Sequence, residues 1–544
     1  MHASAHESVE AALRAAGAAL RAGDKARAGA IAVEACSRGA EHFALLTLAA
    51  QHELAAGAPE RAIALALKAR DLNRRNREVL NTLGIAYAAC GRTRGALDAF
   101  DAALREFPQA WDVRFNKATA LETLQEFDRA RIEFERVLDS EPHHPGALAR
   151  LASLAMLRGD NVEGRRRAEA ALRADPSDRW SELTLAAADV EDRQFEAARA
   201  RIAHRDFHAD PDLKRRSVSL SLMGDALDGL GRTGEAFACY LRAREASLAH
   251  ADLQSGNPHR ESGAALIARL TDYFQRARTD EWRMAGVPAS STSGPAHVFI
   301  VGFPRSGTTL LGQILACHSG VKVMDERHCL RSAQESFTLP LDGIERLAAL
   351  GDADLAVWRD DYWKCVAEEG FRADRAMFVD KMPFYCVFQC LIAKLFPRAR
   401  VLFLIRDPRD VVLSCLRKRF VMTTQMRELA SLEAAAAHYD AVMSLCEVYR
   451  RTLDLQICDV RHEDLVGKFD AETHRICSFL GLEWQPGLGD FARHAAKHAI
   501  GTPSGAQLAR GLLSDRHGQW RRYSEQLAPA MPHLQPWIEK FGYG

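Results

Sequence analysis

The residues best suited to chemistry lie in Gly302-Phe-Pro-Arg-Ser-Gly307-Thr-Thr309, a glycine-bounded turn between the apolar run Val298–Val301 and the amphipathic run Leu310–Cys317. A strand–turn–helix of this kind points the free N–H groups of the helix's first turn, and the positive end of its dipole, at an anion. Backbone N–H groups from Arg305 to Thr309 and the hydroxyls of Ser306, Thr308 and Thr309 can surround a phosphate, and the Arg305 guanidinium adds charge. The G-x-x-x-x-G spacing is that of a nucleotide-binding loop, but Thr308 stands where such a loop carries lysine. The cradle is kept and the ATP lysine is missing, so further positive charge must come from elsewhere in the chain.

A second unit of the same kind supplies candidates. Val401–Ile405 reads as a buried parallel strand, Arg406 follows at its end, and Ser414 lies eight residues on, in a helix that begins near Asp410. Standing alone, Arg406 and Asp407 would be a surface ion pair at a strand end. Arg417 and Lys418 fit a solvated helix face as well as a phosphate contact. Between the two units come Asp325-Glu326 and Asp380-Lys381. Phe378, Val379, Pro383 and Phe384 surround Lys381 in the sequence and argue against a solvated lysine. Asp325 and Glu326 are adjacent, so their side chains should point to different sides.

These elements need a domain of their own, and 544 residues are too many for one core. Lys+Arg and Asp+Glu both total 72, so bulk attraction to nucleic acid is not expected. The chain shows no apolar run of membrane-spanning length and no secretory leader pattern, which predicts a cytoplasmic protein. Its 12 cysteines are scattered without a C-x-x-C pair, so neither a disulfide frame nor a metal site is expected. Pro108, Pro142 and Pro176 are spaced by 34 residues, as are Ala28, Ala62, Ala96, Ala130 and Gly164. That is the tetratricopeptide period, one helix–turn–helix per repeat. In the clearest unit, Gly84 and Ala96 let the paired helices approach while Tyr87 and Phe100 fill the space between them. About seven repeats are predicted over residues 1–250, as a solenoid with a concave face. A helical bridge and linker over 251–296 follow, with the domain boundary in the small-residue stretch 285–295, and then a third domain over 297–544.

Pro304-Arg305-Ser306-Gly307-Thr308-Thr309 resembles the 5′-phosphosulfate loop of sulfotransferases that use 3′-phosphoadenosine 5′-phosphosulfate (PAPS). The tyrosylprotein sulfotransferases and the bacterial sulfotransferases with tetratricopeptide repeats are the similar families, and the resemblance covers roughly residues 297–525. It implies that Arg305, Ser306, Gly307, Thr308 and Thr309 bind the donor, and that Arg406 and Ser414, at the family's separation, hold its 3′-phosphate. Glu326, twenty-one residues after Arg305, maps onto the general base. Lys381 matches the lysine of the family's N-K-x-P-F segment, where it stabilises charge on the bridging oxygen, with Asp380 in place of the asparagine. Arg305, Glu326 and Lys381 are thus the implied catalytic residues. Ser504 and Arg510 match a donor-contacting serine and basic residue, and Trp520–Tyr523 looks like a closing element, or equally a buried anchor for the last helix. His462 replaces a tyrosine near the nucleotide, and His328 replaces an arginine that helps the tyrosylprotein enzymes hold acidic peptides.

The expected fold is therefore a tetratricopeptide-repeat solenoid followed by an α/β P-loop-like domain with a central parallel sheet. The expected reaction is PAPS-dependent sulfuryl transfer to a hydroxyl of a protein tyrosine or a glycan, releasing 3′-phosphoadenosine 5′-phosphate (PAP), with no metal required. The repeat surface would recruit the acceptor. The rival readings are a P-loop kinase, disfavoured by Thr308, and a non-catalytic repeat scaffold with a nucleotide-sensing domain, disfavoured by Glu326 and Lys381.

Overall fold

The computed structural model describes residues 2–254, 261–282, 296–372, 377–418, 420, 424–497 and 517–544. The expected boundary at 285–295, and Ser504 and Arg510, lie outside the described residues. The chain divides into two compact units, residues 1–156 with 162–184, and residues 157–161 with 185–544. No helix among the described residues is long and apolar enough to cross a membrane.

The first unit holds ten helices, from His2–Arg21 to Asn161–Ala174, and the start of an eleventh, Arg179–Glu191. Its periodic small residues are there for packing: Ala28, Ala62, Ala96 and Ala130 are all fully buried. The helix Arg77–Ala89 starts at Asn76, whose side-chain oxygen accepts from the N–H groups of Glu78 at 3.0 Å and Val79 at 3.1 Å. That satisfies two of the donors a helix start leaves open. Its partner, Thr93–Glu106, sits so close that a Cβ built on Gly84 would lie 2.4 Å from Cε1 of the buried Phe100.

The second unit contains the helix pair Leu213–Gly229 and Thr233–Gln254, the helix Gly263–Arg276, and a five-stranded sheet. The strands are β1 (Ala296–Gly302), β2 (Val321–Asp325), β3 (Met377–Lys381), β4 (Arg400–Ile405) and β5 (Gln456–Arg461). All pair in parallel, in the order β2-β3-β1-β4-β5. Because both faces are covered, β1, β3 and β4 read as nearly continuous apolar runs. Val298 and Ile300 pack on one face with Leu311, Ile314 and Val460. The connections from β1 run first to one side of the sheet and then to the other, which opens a crevice at the carboxyl ends of β1 and β4. Both glycine- and arginine-bearing loops emerge there.

Gly84→Ala should lower stability by about 1 kcal/mol in urea unfolding followed by helix signal, because overpacking against Phe100 outweighs the gain in helix propensity. In a Phe100→Leu background the same change should become neutral or stabilising. An unchanged cost in both backgrounds would show that the ring is not the obstacle.

Candidate active site

The loop after β1 turns tightly. Arg305 adopts a φ of +74° and Gly307 a φ of +106°, and the Ser306 N–H donates to the Phe303 carbonyl at 3.2 Å. Gly307 then caps the helix Thr308–Ala316. A side chain there is excluded twice over, since a Cβ on Gly307 would meet His462 Nδ1 at 2.4 Å. Ser306, Thr308 and Thr309 are buried at this turn.

The helix Pro408–Arg417 begins just after β4, two residues earlier than the sequence pattern suggests, because Asp407 caps it by accepting from the Arg409 N–H at 3.0 Å. Arg305, Arg406 and Ser414 come together across the crevice. Arg305 Nε donates to Ser414 Oγ at 3.1 Å, and Arg406 Nη1 donates to the Arg305 carbonyl at 3.3 Å. The two guanidinium groups lie beside His462, whose Nδ1 is buried and has no hydrogen-bond partner among the described residues. Burial first, and then the charges of Arg406 and Arg305 with His517 between them, hold the His462 ring well below its ordinary range, so it stays neutral. A cradle with two cations, a helix N-terminus and a neutral ring fits an anionic nucleotide.

Lys381 ends β3 and is almost completely buried, with 1 % of its side chain exposed. Strand register sets Asp325, the end of β2, directly opposite it. The Lys381 ammonium pairs with Asp325 Oδ1 and donates to Glu326 Oε1 at 2.6 Å, and it lies 3.5 Å from Thr309 Oγ1 at the start of the loop helix. The expectation that Asp325 and Glu326 diverge is therefore corrected: both reach one lysine. The cause is local, since Glu326 leaves the strand with a φ of +50° and its N–H donates to the Lys381 carbonyl at 2.8 Å. Burial works against the ammonium, but Asp325 and Glu326 outweigh it and raise the lysine above its usual range. Glu326 keeps 35 % of its side chain exposed, so an incoming group can reach it.

Beneath the lysine, Asp380 is fully buried and accepts from the Tyr362 hydroxyl at 2.8 Å, while His297 Nε2 lies 3.0 Å from the same hydroxyl. Burial pushes the Asp380 carboxyl up to about 7 and the His297 imidazole down to about 3. Asp380 thus holds its proton to a higher pH than an ordinary carboxyl does. Arg417 is corrected too. It is neither a solvated face nor at a phosphate, because its guanidinium donates to Asp228 Oδ2 at 2.7 Å and to Gln519 Oε1 at 2.8 Å. Several supporting residues carried no recognisable signal in the sequence. Asp228, Arg244, Asp410 and Tyr543, whose hydroxyl donates to Glu463 Oε2 at 2.5 Å and whose carbonyl accepts from Arg409 at 2.5 Å, act by contacts between segments far apart in the chain.

Residues 295–486 match the sulfotransferase family. Residues 81–145 and 115–179 match the tetratricopeptide repeat. The sulfotransferase-family segment thus begins at β1 and takes in the whole sheet, the loop, Glu326, Lys381, Arg406 and Ser414. An uncharacterized protein of Aquifex aeolicus is 24 % identical over 284 residues, covering 51 % of this chain and 36 % of that protein. Protein-tyrosine sulfotransferase A of Caenorhabditis elegans is 26 % identical over 194 residues, covering 34 % of this chain and 50 % of that enzyme. The chain therefore spans between about a third and a half of the length of these relatives. A solved sulfotransferase domain from the Synechococcus PCC 7002 olefin synthase is similar at 21 % identity and a TM-score of 0.33, covering 46 % of this chain and 96 % of that one.

A carboxyl raised from its ordinary value to about 7 contributes stability that is complete below about pH 4 and is lost as pH rises to about 7. Asp380→Asn, which is neutral throughout, should therefore gain on the natural protein between pH 4 and 7, by up to about 4 kcal/mol. Thermal unfolding of both proteins against pH checks this, and parallel curves would contradict it.

Proposed function

We propose that this protein transfers a sulfuryl group from PAPS to an acceptor hydroxyl and releases PAP. The observation that carries the reading is the buried Lys381 ammonium, held between Asp325 and Glu326 and within reach of Thr309 at the anion-binding loop. In this reading Arg305, Ser306, Gly307, Thr308 and Thr309 hold the 5′-phosphosulfate, while Arg406 and Ser414 hold the 3′-phosphate. Two loops at the carboxyl ends of neighbouring inner strands, bridged by Arg305–Ser414, support such a two-ended grip.

Chemistry follows from the charges that must move. The acceptor oxygen attacks sulfur in line, a new S–O bond forms, and the S–O bond to the 5′-phosphate breaks. The electron pair stays on the phosphate oxygen, where Lys381 is positioned to stabilise it. The acceptor's proton passes to Glu326, which is exposed enough to meet it and already orients the lysine. A tyrosine or a glycan hydroxyl is the acceptor class, recruited by the repeat surface; the kinship with a protein-tyrosine sulfotransferase supports the first. The kinase reading is less favoured, since Thr308 takes the place of the lysine such a loop uses.

Glu326→Gln should leave donor affinity nearly unchanged and cut turnover by about a hundredfold or more, the scale of general-base catalysis. Lys381→Met should cut turnover by a few kcal/mol of barrier, roughly the worth of a preorganised charge. Rates with a series of phenols separate the two. A more acidic phenol should partly rescue Glu326→Gln and leave Lys381→Met impaired. Near-normal turnover in Glu326→Gln would remove Glu326 as the base and turn attention to Asp325.

A further inference from the structure

The helix Pro408–Arg417, which carries Ser414, is braced at its far end by the helix pair Leu213–Gly229 and Thr233–Gln254. Arg244, buried, donates through Nη2 to the carbonyls of Cys415, Leu416 at 3.2 Å and Lys418 at 2.9 Å, the acceptors that the end of a helix leaves open. Asp228, also buried, gathers three donors. Its Oδ2 accepts from Arg417 Nη2 at 2.7 Å, its Oδ1 from the Tyr523 hydroxyl at 2.7 Å, and its carbonyl from Arg522 Nη2 at 2.6 Å.

The segment that Asp228 holds leads straight back to the loop. Gly518 and Trp520 donate their N–H groups to Asp410 at 2.8 and 2.9 Å, and the Arg409 guanidinium stacks 3.8 Å above the Trp520 ring. His517 lies edge-on to His462, ring centres 5.4 Å apart, and His462 rests on Gly307. The contacts therefore run without a break from Asp228, through Arg417 and residues 517–523, to the His462 ring packed against Gly307.

We infer that this helix pair is a working wall of the donor site and that Asp228 is a positioning residue for Ser414 and the Gly518–Tyr523 segment; the inference rests on the donor reading above. Without its carboxylate, the buried Arg417 loses its direct ion pair and keeps only the field of Asp225, and both the helix end and the segment lose one of their anchors. The residues Asp228 holds, Arg417, Arg522 and Tyr523, are not among those assigned to the donor. The effect of Asp228 must therefore appear in affinity for the nucleotide, and most in affinity for the 3′-phosphate that the braced helix is assigned.

The test uses the full chain and calorimetry with two probes, PAP and adenosine 5′-monophosphate, which lacks the 3′-phosphate. Asp228→Ala should weaken PAP by about tenfold or more and the monophosphate much less, so that the preference between them collapses. Its kcat at saturating PAPS should stay within about twofold while KM for PAPS rises, a split that general loss of structure does not produce. Asp228→Asn should fall between, because its amide oxygen still accepts from Tyr523 but offers Arg417 no charge. If Asp228→Ala does not fold, Tyr523→Phe decides: a threefold or so weakening of PAP supports the inference. PAP affinity unchanged in a folded Asp228→Ala, or in Tyr523→Phe where that variant must decide, overturns the positioning role alone. A natural protein that binds no PAP overturns the donor reading and this inference with it.

Discussion

An ammonium group buried at the end of a central strand needs negative charge beside it, and that requirement at Lys381 organises the site. The register of β2 against β3 delivers Asp325 to the lysine, and one left-handed residue, Glu326, turns the next carboxylate to the same point. A buried cation without such partners would lose several kcal/mol to desolvation. With two partners the ammonium is fixed in place, facing Thr309, and in the proposed reaction it would need no reorganisation to meet negative charge developing at the loop.

The anion cradle obeys a complementary rule. It collects cations and backbone donors, Arg305, Arg406 and the start of the helix Thr308–Ala316, and the His462 ring packed against Gly307 is kept neutral by burial and by those same cations. Gly307 lets the ring approach where no side chain would fit. Positive charge is thus concentrated on one side of the crevice and the two carboxylates on the other, with Lys381 between them. Such a separation suits a reaction in which a phosphate leaves with extra charge while a hydroxyl loses a proton.

Much of this was legible in the sequence. Small residues at the 34-residue period and the strand–turn–helix around Gly302–Gly307 reflect local rules of packing and backbone geometry, and the structure carries both. Arg406 and Ser414 could be placed on one strand–helix unit because their spacing is short and local. The convergence of Asp325 and Glu326 could not be read, since it depends on a single positive φ and on which strand lies next to β3. Nor could the setting of Arg417, whose counter-charge, Asp228, is 189 residues away and belongs to a helix whose sequence reads as ordinary repeat. Long-range polar pairs are chosen by topology, and no periodicity in a chain announces them.

The most direct test of the whole account is to incubate the protein with PAPS labelled at sulfur and cell extract, and to count label in acceptor against PAP formed. The account predicts label transfer equal to PAP release with the natural protein, and loss of both with Lys381→Met while PAP still binds. PAP release without labelled acceptor, or equal transfer by Lys381→Met, would contradict it.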